Sequence, residues 1–307
     1  MARGKQITKK IDKSVSECLK AFLRHCAVKN LSEKTIKMYK NECTYFASWY
    51  GEEKGISQID DETIEDYIVF IKASGISQTY VATKMRHVRA FLYFCMEREY
   101  LREFKIKIPK ADEVIKEPYT QKELERLIQK PTTNNWVEWR SWAMINYMLG
   151  TGNRISTVLN LKVSDIDFDS NLIKLNVVKN RRQQYIPLST GLKKALLTYL
   201  SLWDYKKNDY LFPEYEGGRL STRGAYDAVK KYNIKRGVTK TSLHLFRHTF
   251  AKNYIVAGGD CTYLQRLLGH STLAMTNHYL NLYSTDLQKN YDTFNPLDNL
   301  ARKMNNA

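Results

Sequence analysis

The sequence predicts a mainly α-helical protein with one small β-hairpin, an α+β chain in two parts. Three observations carry that reading. Apolar residues recur at helical spacing through residues 13–104. A stretch without period, KIKIPKADEVIKEPY, then breaks the pattern with Pro109 and Pro118 and reads as an exposed linker. Beyond it a single segment, DFDSNLIKLNVVKNRRQQYIPLS, carries a strand signal. At 307 residues the chain exceeds one typical domain, so two are expected.

The elements follow in order. SVSECLKAFLRHCAV sets Val15, Leu19, Phe22, Leu23 and Cys26 on one stripe. A second helix opens at Ser32, a good N-cap, and continues through Ile36, Tyr39, Cys43, Phe46 and Tyr50. DDETIEDYIVFIKAS is a third, with an acidic first turn that suits the positive end of a helix. Ser77 caps a fourth, SQTYVATKMRHVRAFLYFCMEREY. Short Gly- and Asp-containing turns join them into a bundle. After the linker a helix starts at Thr120, with Gln121 to Ile128 behind it. The apolar WVEWRSWAMINYMLGTGNR then ends at Gly150 or Gly152. A turn at Asp169, Ser170 and Asn171 leads to a strand through Leu172 to Val178, a basic turn KNRR, and a strand through Tyr185 to Leu188. Helical segments resume from Gly191.

Composition narrows the function. There are 49 Lys and Arg against 32 Asp and Glu, a net charge of +17. Residues 1–110 carry +7 of it and residues 111–307 carry +10, so both parts favour the same polyanion partner. No long unbroken apolar run suggests a membrane span, and MARGKQITKKIDKS lacks the apolar core of a secretory signal. Five scattered cysteines with no CxxC pair read as reduced thiols in a cytoplasmic protein, and a polyanion partner that is DNA would make it nucleoid-associated.

No Gly-rich phosphate loop, no H-E-x-x-H and no paired-carboxylate set resembling a two-metal nuclease is present. Chemistry on phosphodiesters would have to rest on cationic and neutral donors. TGNRIS puts Arg154 just past a glycine turn, KNRR puts Lys179 in the hairpin, and LHLFRHTF puts His244 and Arg247 three apart on one helix face. LGH puts His270 after a helix-ending Gly, and HYL puts Tyr279 nine residues on. Taken singly, each has an ordinary structural use. Together, two Arg, one Lys and two His supply fixed donors for a phosphorane's equatorial oxygens. A Tyr hydroxyl, with an ordinary pKa of about 10, could attack in such positive surroundings.

The order and spacing of these residues resemble the tyrosine recombinase (phage integrase) superfamily, over nearly the whole chain. TGNRISTVLNLKVSDIDF is similar to the family's first arginine motif, and LHLFRHTFAKNYIVAGGDCTYLQRLLGHSTLAMTNHYL to its second box. VVKNRRQQYIPL falls where the family carries a hairpin lysine. Thr157 stands where many members have Glu in an R-x-x-E pattern, which touches the support of Arg154.

The resemblance implies a helical core-binding domain at 1–108, a linker at 109–118, a catalytic domain at 119–283 and a tail at 284–307. The tail is expected to dock on a neighbouring protomer, with packing in cis as the alternative. It implies that Tyr279 is the nucleophile, with Arg154, Lys179, His244, Arg247 and His270 as its catalytic partners and no metal or other cofactor. The implied partners are double-stranded DNA with paired core sites and three further copies of the chain, with room for an accessory DNA-bending or directionality factor. In the first domain Lys34, Thr35, Lys84 and Arg86 are the expected DNA contacts; in the hairpin, Arg181 and Arg182. The leading expectation is a Xer-like two-domain recombinase without an arm-binding domain, working as an integrase or transposase of a mobile element. The alternatives are dimer resolution or inversion, a type IB topoisomerase, and a non-catalytic DNA-binding protein.

Overall fold

The computed structural model describes residues 12–110, 117–176, 184–270 and 272. It divides into two compact units, residues 1–114 and 115–307, a division inside the stretch read above as a linker.

Among the described residues the first unit is a bundle of four α-helices: α1 (Val15–Val28), α2 (Glu33–Tyr50), α3 (Asp61–Ala73) and α4 (Gln78–Glu97). Each starts where its sequence offers a side-chain acceptor. Ser14, Ser32, Asp60 and Ser77 accept from the backbone N–H groups of Glu17, Thr35, Thr63 and Tyr80. Each such cap is worth about 1 kcal/mol. The apolar stripes meet in a core that includes Val15, Phe22, Cys43, Phe46, Tyr67, Met85, Val88, Phe91 and Leu92. Cys18, Cys26, Cys43 and Cys95 lie in this core as free thiols, packed as small apolar groups.

The second unit is built around α6 (Trp136–Thr151). Its sequence is apolar on nearly every face, and such a helix must be covered all round. Trp142, Ala143, Met144, Ile145, Tyr147 and Met148 are all buried. Packed on α6 are α5 (Gln121–Ile128), α8 (Thr190–Leu200), α9 (Thr222–Lys235) and α10 (Leu243–Val256). Helix α5 opens with a reciprocal cap. The Thr120 hydroxyl accepts from Glu123 N–H, and the Glu123 carboxylate accepts from Thr120 N–H at 2.7 Å. Helix α11 (Cys261–Leu268) packs on α10 through Ala251, Leu264 and Leu268, with Phe250 and Tyr254 alongside.

The hairpin is part of a three-stranded antiparallel sheet, β1 (Ile166–Asp167), β2 (Leu172–Leu175) and β3 (Gln184–Pro187), in that spatial order. Its register sets Ile166 opposite Ile173 and Ile173 opposite Ile186, and these three isoleucines are buried. The sheet thus turns one apolar face into the core while its other face stays wet. Strand β1 leaves no signal in the sequence, because two residues are too short for alternation to register. Residues 201–221, expected to be helical, instead form turns and two isolated bridges, Lys162 with Tyr210 and Pro213 with Arg219. Val177, Val178 and the tail at 284–307 lie outside the described residues.

Candidate active site

The site is assembled around two chain reversals, and the first is the end of α6. Gly152 adopts the left-handed conformation (φ 64°), and its N–H reaches back to the Met148 carbonyl at 2.9 Å. Glycine is required there twice over, because a Cβ would sit 2.3 Å from Phe250 Cδ1 and 2.7 Å from Leu268 Cδ2. Asn153 follows, buried, with its amide donating to the Tyr147 hydroxyl at 2.9 Å. Arg154 is next and stands at the N-terminus of the short helix α7 (Ile155–Val158). Thr157, the residue that departs from the R-x-x-E pattern, is buried on α7, and its N–H bonds the Arg154 carbonyl at 2.8 Å.

The second reversal ends α11. Gly269 is also left-handed (φ 60°). Its N–H bonds the Arg266 carbonyl and the His270 N–H bonds the Gln265 carbonyl, both at 3.0 Å. This paired closure sends the chain away from the helix with His270 as the first residue out.

Arg247, on α10, joins the two. It is 2% exposed. Its Nη1 donates to the Gly152 carbonyl at 2.8 Å and its Nη2 to the Leu268 carbonyl at 2.9 Å. Nη2 also lies 2.7 Å from His270 Nε2. A guanidinium has only donors, so the imidazole Nε2 must accept and the ring proton sits on Nδ1. Arg154 Nη1 approaches the same Leu268 carbonyl at 3.5 Å. Two cations thus converge on one carbonyl at the negative end of a helix, and one of them also holds the imidazole. Burial, and then the charges of Arg247 and Arg154, hold the His270 pKa down at about 4, so the ring is neutral at physiological pH.

His244 lies one turn before Arg247 on α10, exposed, with its ring edge-on to His248 at 4.7 Å. Of the six expected catalytic residues, the described structure brings Arg154, Arg247 and His270 together and puts His244 on the same helix as Arg247. Lys179 and Tyr279, and with them Arg181 and Arg182, lie outside the described residues.

The expected DNA contacts of the first unit differ among themselves. Lys34 and Arg86 are exposed, the latter with Nη1 3.4 Å from Thr83 Oγ1. Thr35 belongs to the start of α2, its hydroxyl 2.8 Å from that of Ser32. Lys84, the fourth expected contact, is held within the unit. Its ammonium is 2.6 Å from Glu42 Oε2 and lies over the rings of Tyr45 (4.3 Å) and Tyr80 (5.2 Å), with only 11% of the side chain exposed. Tyr80 and Lys84 are four residues apart on α4 and so share a face, while Glu42 and Tyr45 come across from α2.

The profile of the phage integrase family matches residues 118–285 of this chain, and that of the phage integrase N-terminal SAM-like domain matches residues 19–99. The chain belongs to the phage integrase family. Curated relatives include the tyrosine recombinase XerC of Oceanobacillus iheyensis, 30% identical over 88% of this chain and 93% of the relative. Another is the tyrosine recombinase XerD of Staphylococcus haemolyticus, 24% identical over 87% of this chain and 94% of the relative. Among solved structures, the XerA recombinase aligns with a TM-score of 0.52 at 27% identity, over 91% of this chain and 98% of that one. The Tn1549 transposon integrase in complex with transposon right end DNA shares the fold, with a TM-score of 0.74 at 21% identity over 87% and 94% of the two chains. These likenesses make the fold that of the two-domain tyrosine recombinases.

Proposed function

We propose that this chain is a site-specific recombinase that cuts and rejoins duplex DNA through a covalent tyrosyl link. The observation that carries the reading is the convergence of Arg154, Arg247 and His270 on the C-terminal turn of α11. Donors held in place before the reaction cost no reorganisation when negative charge develops.

In the proposed step the Tyr279 hydroxyl oxygen bonds to the scissile phosphorus and loses its proton. The bond from phosphorus to the 5′-oxygen breaks, and Lys179 delivers a proton to that oxygen, which leaves as a 5′-hydroxyl. The DNA 3′ end stays on the enzyme as a phosphotyrosine, so the energy of the phosphodiester is kept for rejoining. Arg154 and Arg247 grip the non-bridging oxygens, and their charge offsets that of the phosphorane. His270 and His244 hydrogen-bond the phosphate and help move the tyrosyl proton. His270 starts neutral. A phosphate beside the two guanidinia cancels part of the charge that depresses its pKa, so substrate binding makes the ring a better base. Lys34, Thr35, Arg86, Arg181 and Arg182 are proposed to contact duplex DNA. Two exchanges by four protomers pass through a Holliday junction.

The finer role is Xer-like resolution of DNA dimers. XerC and XerD relatives at 24–30% identity run across most of the chain and support this role over integration of a mobile element.

The test is a duplex drawn from the DNA flanking the gene, nicked beside the cleavage point so that rejoining is blocked. A protein–DNA adduct that survives detergent and chelator, and is lost in Tyr279→Phe, is expected. No adduct anywhere in the flanking DNA, or an adduct that persists in Tyr279→Phe, overturns the reading. Release of the flanked segment as a circle, in place of dimer resolution, would return the role to integration and excision.

A further inference from the structure

The C-terminal carbonyls of a helix have no partners within it. In α11 three of them, those of Gln265, Arg266 and Leu268, are taken up by groups around the site. Gln265 accepts from the His270 backbone, and Leu268 accepts from Arg247 and Arg154. Arg266 accepts from the Gly269 backbone and from one further donor, the side-chain amide of Gln184 at 2.5 Å.

Gln184 is the first residue of β3, paired there with Leu175 of β2. Its side chain crosses from the sheet to the last turn of α11, 82 residues ahead in sequence. Its amide oxygen lies 3.4 Å from where a Cβ on Gly269 would stand, so the same side chain also covers the glycine from which His270 departs. No other side chain of the sheet has a hydrogen bond to α11 among the described residues. A residue in this place must donate to a carbonyl and be long enough to arrive. Glutamine does both. Glutamate has the same shape but would set a carboxylate against a carbonyl oxygen at the negative end of a helix.

We propose that Gln184 is a positioning residue: by donating to the Arg266 carbonyl it fixes the turn that holds His270 against Arg247. The inference rests on the reading of His270 as a partner of the scissile phosphate. Gln184 is not placed on the phosphate itself and acts through the turn.

The experiment uses the full chain and compares Gln184→Ala, Gln184→Glu, His270→Ala and the double variant Gln184→Ala with His270→Ala. Single-turnover adduct formation on the nicked duplex is measured beside duplex affinity and Tm. Gln184→Ala is expected to slow adduct formation about ten- to a hundredfold, the range for a small misplacement of a reacting group. Duplex affinity should not change, and Tm should fall by no more than about 3 °C, the scale of one exposed hydrogen bond. Gln184→Glu should be slowed at least as much. In the His270→Ala background the Gln184→Ala change should slow the reaction no further, because the group it positions is gone. Slowing that multiplies in the double variant, or a Gln184→Glu protein that cuts at the parent rate, overturns the proposal. A second readout needs no activity. In Gln184→Ala the His270 ring, followed by NMR, should drift from Arg247 and its pKa should rise towards the ordinary histidine value. An unchanged ring sinks the inference even if the parent protein forms no adduct, an outcome that would separately refute the recombinase reading.

Discussion

Arg247 and Lys84 are both cations drawn out of water, and they are held in opposite ways. Arg247 is gripped by the carbonyls of Gly152 and Leu268 and by a neutral imidazole. These acceptors fix its geometry without cancelling its charge. Lys84 is closed against the Glu42 carboxylate between two tyrosines. That partner neutralises it, and the pair works as a joint between α2 and α4. The difference teaches which buried cations a polyanion can use: those anchored by dipoles stay available, and those anchored by carboxylates do not.

The comparison breaks most sharply at Arg247. Arg247→Ala should slow adduct formation by about 10²–10³-fold, the loss expected when one preorganised donor is removed. Arg247→Lys keeps the charge but cannot span two carbonyls, so it should recover little of that loss. Single-turnover cleavage at saturating enzyme measures both. Near-parent activity in Arg247→Lys would show that charge alone matters and that the anchoring does not. Next comes Gly152→Ala. The positive φ and the close approach of Phe250 and Leu268 should together destabilise the second unit by about 2 kcal/mol or more, read as a fall in Tm.

A smaller effect follows from His270. Its folded pKa of about 4 lies below the ordinary 6.5. The unfolded chain therefore takes up the proton first. Stability from the neutral ring is complete above about pH 6.5 and is lost as pH falls towards 4. Thermal unfolding across this window should flatten in His270→Gln; an unchanged slope would deny that the neutral ring is built into the fold. The smallest effect belongs to Lys84. The paired change Lys84→Met with Glu42→Gln should leave duplex affinity within about twofold and its salt slope unaltered, whereas Lys34→Ala or Arg86→Ala should each lower the slope by about one. A loss of slope in the paired variant would put Lys84 back among the phosphate contacts.

The sequence makes some of this legible and hides the rest. Thr120 before an apolar run with Glu123 behind it names the first residue of α5, because capping is a local bargain among neighbours. The same holds at Ser32 and Ser77. The cluster of Arg154, Arg247 and His270 was legible only as an order of motifs. The two arginines are brought together by one carbonyl at Leu268, with His270 held on Arg247, and backbone atoms leave no mark in a sequence. The Lys84–Glu42 pair was hidden because its members are 42 residues apart and meet only when α2 packs on α4. Gln184 looked like any polar residue after a basic turn; its partner is a carbonyl on another element.

Gly152 has a consequence for how the molecule tolerates change. It has no side chain to take part in chemistry, yet its carbonyl anchors Arg247, its dihedral angles end α6, and its bare Cα leaves room for Phe250 and Leu268. In a saturation mutagenesis screen scored by recombination, this position should be as depleted as Tyr279, the proposed nucleophile. A screen scored by duplex binding through the first unit would pass over it.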